Sequence, residues 1–253
     1  MRYLISVMAL ALGTAEAAAS AWPRPPGETF VSITFGALST AADAPEGEAF
    51  ERLSLDYYME YGLTERITVG GKAVAGLRTD ADEAGEVATD VAAFAQTLLW
   101  RGSAGDVISI RGRVTASLDD LASTPASDID DGEELRAALQ YGRGLDTPWG
   151  NGWLDSALGY ATYTGARADQ VTADLTLGLR PAERWLGLVQ MFGTVGLGNE
   201  ELGGADFDAI KLKTAVGREF DAGPSVLLGL GGDVYTRGID AGLEATLTLW
   251  TSF

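Results

Sequence analysis

With 253 residues, a net charge of −18 and neither Cys nor His, the chain has room for one domain of this size or two small ones, and it lacks several kinds of chemistry. No Cys means no disulfide framework, lipoprotein anchor or thiolate metal site; no His removes the usual Ser–His and Cys–His hydrolases and the commonest transition-metal ligand. The acidic balance excludes nucleic acid as a partner, since phosphate binding needs a basic surface, and the mean hydropathy of +0.07 excludes a disordered chain.

The first residues read as a targeting segment. Arg2 supplies a positive end, and Tyr3 to Leu12 is an apolar run too short to cross a bilayer as a helix. Small residues follow, with an A-x-A cleavage pattern at Ala17–Ala19 or at Ala19–Ala21. The expected division is therefore a signal peptide over 1–21 and a mature domain over 22–253. No later stretch has about 18 consecutive apolar residues, so an exported chain that spans a membrane must do so with strands.

Trp22 to Glu28, reading WPRPPGE, is too rich in Pro for a central strand. Beyond it the chain alternates apolar and polar residues with period 2, the signature of half-buried strands. The predicted strands are 29–38, 50–61, 66–76, 87–100, 106–118, 133–144, 153–164, 169–180, 184–197, 206–220, 225–236 and 243–253. The facing of the fourth is the least regular and leaves room for a bulge. Long connections (39–48, 77–86, 119–132, 198–205) alternate with short turns, the turn at 145–152 among them, from one end of the chain to the other. Twelve strands of about ten residues with this alternation predict an all-β, 12-stranded antiparallel up-and-down transmembrane β-barrel. A soluble sandwich would have shorter strands and no such alternation of loop length. Tyr61, Trp100, Trp149, Trp153, Trp185, Phe220 and Phe253 all fall at or beside the short-turn end, as in an interfacial aromatic girdle.

The last strand, LEATLTLWTSF, alternates cleanly and ends the sequence on the aromatic Phe253. It resembles the closing strand of bacterial outer-membrane β-barrels, with Thr251 where that family usually has Tyr or another large apolar residue. Over the mature chain the sequence is similar to small proteobacterial porin-like barrels, including the group of phenol-degradation-pathway transporters. The resemblance implies residence in the bacterial outer membrane, contact with its lipid and lipopolysaccharide, and recognition of Phe253 by the outer-membrane assembly machinery.

If the apolar faces meet lipid, the polar faces line the interior. The basic candidates are Arg52, Lys72, Arg111, Arg113, Arg136, Arg180, Lys211 and Lys213; the acidic ones are Asp56, Glu60, Asp90, Asp155, Asp174, Asp233 and Glu244. Arg111, Arg113, Arg136, Asp174, Lys211, Lys213, Asp233 and Glu244 are the candidate lumen-lining residues. The i, i+2 pairs Arg111/Arg113 and Lys211/Lys213 each project two positive charges to one side of a strand, and such charges favour anions in pores. The opposite expectation is a network of paired charges that fills a narrow barrel.

Acidic residues collect in the outer connections: Asp43, Glu46, Glu48; Asp80, Asp82, Glu83, Glu86; Asp119, Asp120, Asp128, Asp130, Asp131 with Glu133 and Glu134; and Glu200, Glu201, Asp206. A solvated acidic rim is the simpler reading, with divalent-cation binding the alternative. The chain resembles twelve-stranded outer-membrane phospholipases in strand number, but their Ser–His–Asn arrangement cannot be assembled without His. No residue pair is singled out for acid–base catalysis, so the expectation is a non-enzyme with no cofactor. The expected function is a passive channel or uptake pore for small solutes; the alternative is a non-conducting structural or surface-interaction barrel with an acidic extracellular face.

Overall fold

The computed structural model describes residues 20–40, 51–80, 83–118, 133–202, 204–221 and 223–253. Their strands are β1 (Thr29–Thr40), β2 (Glu51–Gly62), β3 (Ile67–Asp80), β4 (Glu83–Arg101), β5 (Val107–Ser117), β6 (Glu134–Thr147), β7 (Gly150–Tyr163), β8 (Gln170–Ala182), β9 (Trp185–Gly196), β10 (Asp208–Glu219), β11 (Ser225–Arg237) and β12 (Gly242–Ser252). Each pairs antiparallel with its sequence neighbours, and β12 pairs with β1 to close the barrel. The seam runs from Phe30 opposite Ser252 to Thr40 opposite Gly242. Beyond it, the backbone N–H groups of Thr29 and Phe253 each donate to the other's carbonyl, at 2.8 and 3.0 Å. Closure leaves no sheet edge, which is what a backbone in hydrocarbon requires.

The alternation in the sequence becomes the two faces of the wall. On β12, Leu243, Leu247 and Leu249 are exposed, whereas Glu244, Thr246 and Thr248 are buried. On β10, Ile210, Leu212 and Val216 point out, whereas Lys211 and Lys213 are buried. A water-soluble barrel would invert this order; leucines outside and lysines inside suit a lipid-facing exterior.

Two expectations change and one is met. The predicted connection 77–86 shrinks, because β3 and β4 continue outward and pair as far as Asp80 opposite Glu83. Asp80, Glu83 and Glu86 therefore lie on strand extensions, where the charged residues had concealed the period-2 pattern. The turn predicted at 145–152 contracts to Pro148 and Trp149, because Gly150 at φ 122° lets the chain reverse at once. The β4–β5 pairing shifts between Leu98 and Trp100, a local irregularity that accounts for the imperfect facing of the fourth strand.

The aromatic girdle needs one correction. Tyr61, Trp100, Trp149, Trp185, Phe220 and Phe253 are exposed at the short-turn end. Trp153 instead turns inward and packs on Leu186, Leu188, Ala215 and Leu227. Its place depends on Gly178, the neighbour opposite on β8: a Cβ there would come within 2.2 Å of the Trp153 ring. Gly178→Ala is expected to cost about 1–3 kcal/mol through overpacking, read as unfolding of the heat-modifiable gel band at lower temperature.

Candidate functional site

The candidate site is the lumen, and it has two halves. In the half nearer the termini and short turns, the inward positions carry bulk. Phe30, Tyr58 and Phe94 pack together with Trp250 against them. Tyr58 and Phe94 stack with centroids 5.5 Å apart, and Phe30 meets Tyr58 and Trp250 edge to face. Across from them, Leu186, Leu188, Ala215 and Leu227 form an apolar cluster that also receives Trp153 and Trp250.

Between these clusters lies the chain's own lead-in. Ala21 is fully buried and packs on Leu98 and Val107 with Trp22. Its N–H donates to Asp155 at 2.6 Å, and its carbonyl accepts from Gln96 at 3.0 Å and Ser109 at 2.6 Å. The Trp22 indole donates to the Gly105 carbonyl, and the Arg24 N–H donates to Thr68 at 2.9 Å. The Arg24 guanidinium pairs with Glu60 and lies 4.3 Å over the Phe30 ring. At Gly27 the chain reaches the end of β2, where Gly27 N–H donates to the Gly62 carbonyl and Gly62 N–H to the Glu28 carbonyl. Residues 20–26 thus cross the barrel as an inserted strap, held by side chains projecting from β2, β3, β4, β5 and β7. The prolines that disqualify the segment as a strand leave it short of ladder partners, so side chains supply them.

A network of charges begins among these groups and continues along the lumen into the other half. Glu60, only 1% exposed, accepts from Arg24, Tyr58 and Arg111, the last at 3.1 Å. Arg111 also donates to Gln96 and lies 4.4 Å over the Phe94 ring. Arg113 pairs with Glu134 at 2.6 Å, and Arg136 with Asp174 at 3.1 Å. Lys211 and Lys213 converge on Glu244, at 3.5 and 3.2 Å. Asp233 accepts the Gly242 N–H at 2.9 Å. Arg111, Arg113, Arg136, Gln140, Asp155 and Asp174 line a residual cavity of about 30 Å³, room for about two waters.

All eight candidate lumen-lining residues lie on inward-facing positions of the wall. The i, i+2 pairs do not stand as bare positive charge, because other strands supply carboxylates: β2 to Arg111, β6 to Arg113 and β12 to both lysines. Arg180 lies elsewhere: it is half-exposed at the short-turn mouth, pairing with Glu219 at 3.0 Å and lying over Trp153. Glu134, grouped above with the outer acidic residues, turns inward to Arg113. Ser20, Ala21, Trp22 and Arg24 had no signal that could have placed them inside, since the lead-in has no periodicity to read.

At the outer mouth, the segments after β7 and β9 lean on each other. Ala168 N–H donates to Ala205 and Glu201 N–H to Ala166. The buried Arg167 guanidinium lies between Tyr163 and Phe207, 4.6 and 5.1 Å from their centroids. Asp169 accepts from the Tyr160 hydroxyl and from Asn199, and the Tyr160 bond above all holds its carboxyl below the usual carboxylate range. A depressed carboxyl stabilises above the ordinary value of about 3.9 and ceases to as pH falls through the lower folded value. Loosening of 164–169 against 197–202 is therefore expected only in strong acid, as faster amide exchange there. Asp169→Asn should bring the same loosening at neutral pH.

The acidic outer residues 41–50 and 119–132, together with Asp82, lie outside the described residues. Among the described residues no group of three or more carboxylates is placed to hold a metal ion.

A closed barrel of twelve strands with an apolar exterior, an aromatic belt at one end and charges inside is a small outer-membrane β-barrel. Known structures share the architecture. An outer membrane channel from Pseudomonas putida F1 is similar with a TM-score of 0.66 at 12% identity, over 95% of this chain and 100% of that one. The KdgM porin is similar with a TM-score of 0.52 at 11% identity, over 88% of this chain and 99% of that one. At such identities the likeness is one of fold. No protein-family model matches the chain, and no curated protein sequence does.

Proposed function

We propose that this protein is a narrow, passive outer-membrane channel for small polar solutes, occupied at its periplasmic end by its own residues 20–26. The observation that carries the reading is the way this strap is held. It is a guest in the lumen, fastened by separate side-chain bonds, and the barrel wall closes without it. A barrel serving only as a structural wall could fill its interior from the wall itself. The two folds cited above, a channel and a porin, support the reading, as does a wall carrying charges of both signs from which water-borne solutes could exchange partners.

The second reading, a non-conducting barrel, is favoured by the near-complete burial of Arg111, Lys211, Lys213 and Glu244. Planar-bilayer recording separates them. A small reproducible current from purified, folded protein is the expected result. Silence from the intact protein and from one lacking the strap would leave the non-conducting reading.

If ions pass the Lys211/Lys213 pair, Glu244→Gln removes the counter-charge without changing shape. The reversal potential under a salt gradient should then move toward anion preference. An unchanged potential would mean that ions do not pass these side chains.

A further inference from the structure

The lumen contains one buried carboxylate whose charge the described residues leave unpaired. Asp155, on β7, is 7% exposed and accepts the Ala21 N–H at 2.6 Å. Among the described residues no Lys or Arg forms an ion pair with it. The charges facing it are Arg111 on β5, Glu60 on β2 and Asp174 on β8. Arg111 is engaged by Glu60, and Asp174 by Arg136. A lone carboxylate in such a place is costly unless it takes up a proton or a cation joins it.

The chain can supply that cation from its own backbone. We infer that export processing cuts between Ala19 and Ser20, and that the α-ammonium so created on Ser20 pairs with Asp155 inside the barrel. In the cut, water adds across the Ala19–Ser20 peptide bond. Its oxygen goes to the Ala19 carbonyl carbon, the C–N bond breaks, and both water hydrogens end on the Ser20 nitrogen, which leaves as an ammonium while Ala19 ends as a carboxylate. That nitrogen is one residue, about 3.8 Å of chain, from the Ala21 nitrogen that already bonds Asp155. Before the cut it is a neutral amide.

The geometry also chooses between the two A-x-A positions. A cut after Ala21 would discard the residue whose N–H, carbonyl and methyl are all engaged: the carbonyl holds Gln96 and Ser109, and the methyl packs on Leu98 and Val107. It would leave Asp155, Gln96 and Ser109 without those bonds at the barrel's centre. A cut after Ala19 keeps every one and adds the charge. The mature domain then begins at residue 20, two residues earlier than the leader pattern alone suggested. Paired in this way, the ammonium titrates above its unfolded value. It holds the strap at neutral pH and releases it as pH rises through the raised value.

This inference stands whether or not the barrel conducts, and two measurements test it. The intact mass and amino-terminal sequence of protein purified from the outer membrane should begin Ser-Ala-Trp. A start at Trp22, or an uncut chain, overturns the assignment. Second, the α-amine is ¹³C-methylated in urea, the protein is refolded into micelles, and the amine is titrated by NMR. It should titrate at least about one unit above the ordinary 7.7–8.0 and return toward that range in Asp155→Asn. An ordinary value in the wild-type protein overturns the pairing, and neither the mass nor the wild-type titration depends on the variant folding.

Discussion

A chain refolded from Gly27 onward, without the strap, is expected to conduct several-fold more current than one starting at Ser20, while remaining a folded barrel. The strap's bonds to the wall are few: one at the Ser20 carbonyl, three at Ala21, one from the Trp22 indole, one from the Arg24 N–H and the Arg24–Glu60 pair. Each neutral bond is worth about 0.5–1.5 kcal/mol net, and the charged ones about 1.5–3. Their loss is softened because water enters the vacated space and solvates Gln96, Ser109, Glu60 and Asp155. The ladders that close the barrel, including the β1–β12 seam, do not involve residues 20–26. The conductance change should therefore be large and the stability change modest. Single-channel recording beside a heat-modifiability gel reads both. Equal conductance with and without the strap would show that the constriction lies in the wall aromatics.

Glu60→Ala is expected to be the most damaging single substitution in the lumen. Glu60 is almost inaccessible and receives Arg24, Tyr58 and Arg111 together. Removing it strands two guanidiniums, one of them deeply buried, and breaking a buried pair from one side costs about 3–5 kcal/mol. Glu134→Ala makes a useful contrast. Arg113 and Glu134 are 15% and 17% exposed, so water can take over much of the lost interaction, and a partly solvated pair is worth about 1 kcal/mol. Urea unfolding in micelles should rank Glu60→Ala well below Glu134→Ala, and parity would mean that the lumen is wetter than its burial implies. Glu60→Ala should also loosen the strap, since Arg24 then keeps its backbone bond, its place over Phe30 and a long 3.9 Å pairing with Glu28.

The wall was legible because its information is local. Val31, Ile33 and Phe35, or Ile210 and Leu212 against Lys211 and Lys213, declare their faces within a few residues, since the pleat sends neighbours to opposite sides. The boundaries that moved, at 77–86 and 145–152, lie where charge or Gly interrupts the alternation while backbone pairing continues. Trp153 was misplaced because aromatic residues near a turn suit either an interfacial belt or an interior plug, and period alone does not tell them apart. Gly178, which makes the space, lies on another strand.

The sequence by itself determined the twelve strands, their order, their inward and outward faces and the even count that lets them close. These follow from the two-residue pleat and from turn residues at the ends of each run, which neighbouring residues specify. Only the tertiary structure decided what occupies the interior. Glu60 on β2 meets Arg111 on β5, and Ala21 meets Asp155 on β7, across 51 and 134 residues. Those strands are not neighbours in the sheet. Such contacts come into being when closure curves the wall round on itself, and no local pattern encodes which side chains then meet across the lumen.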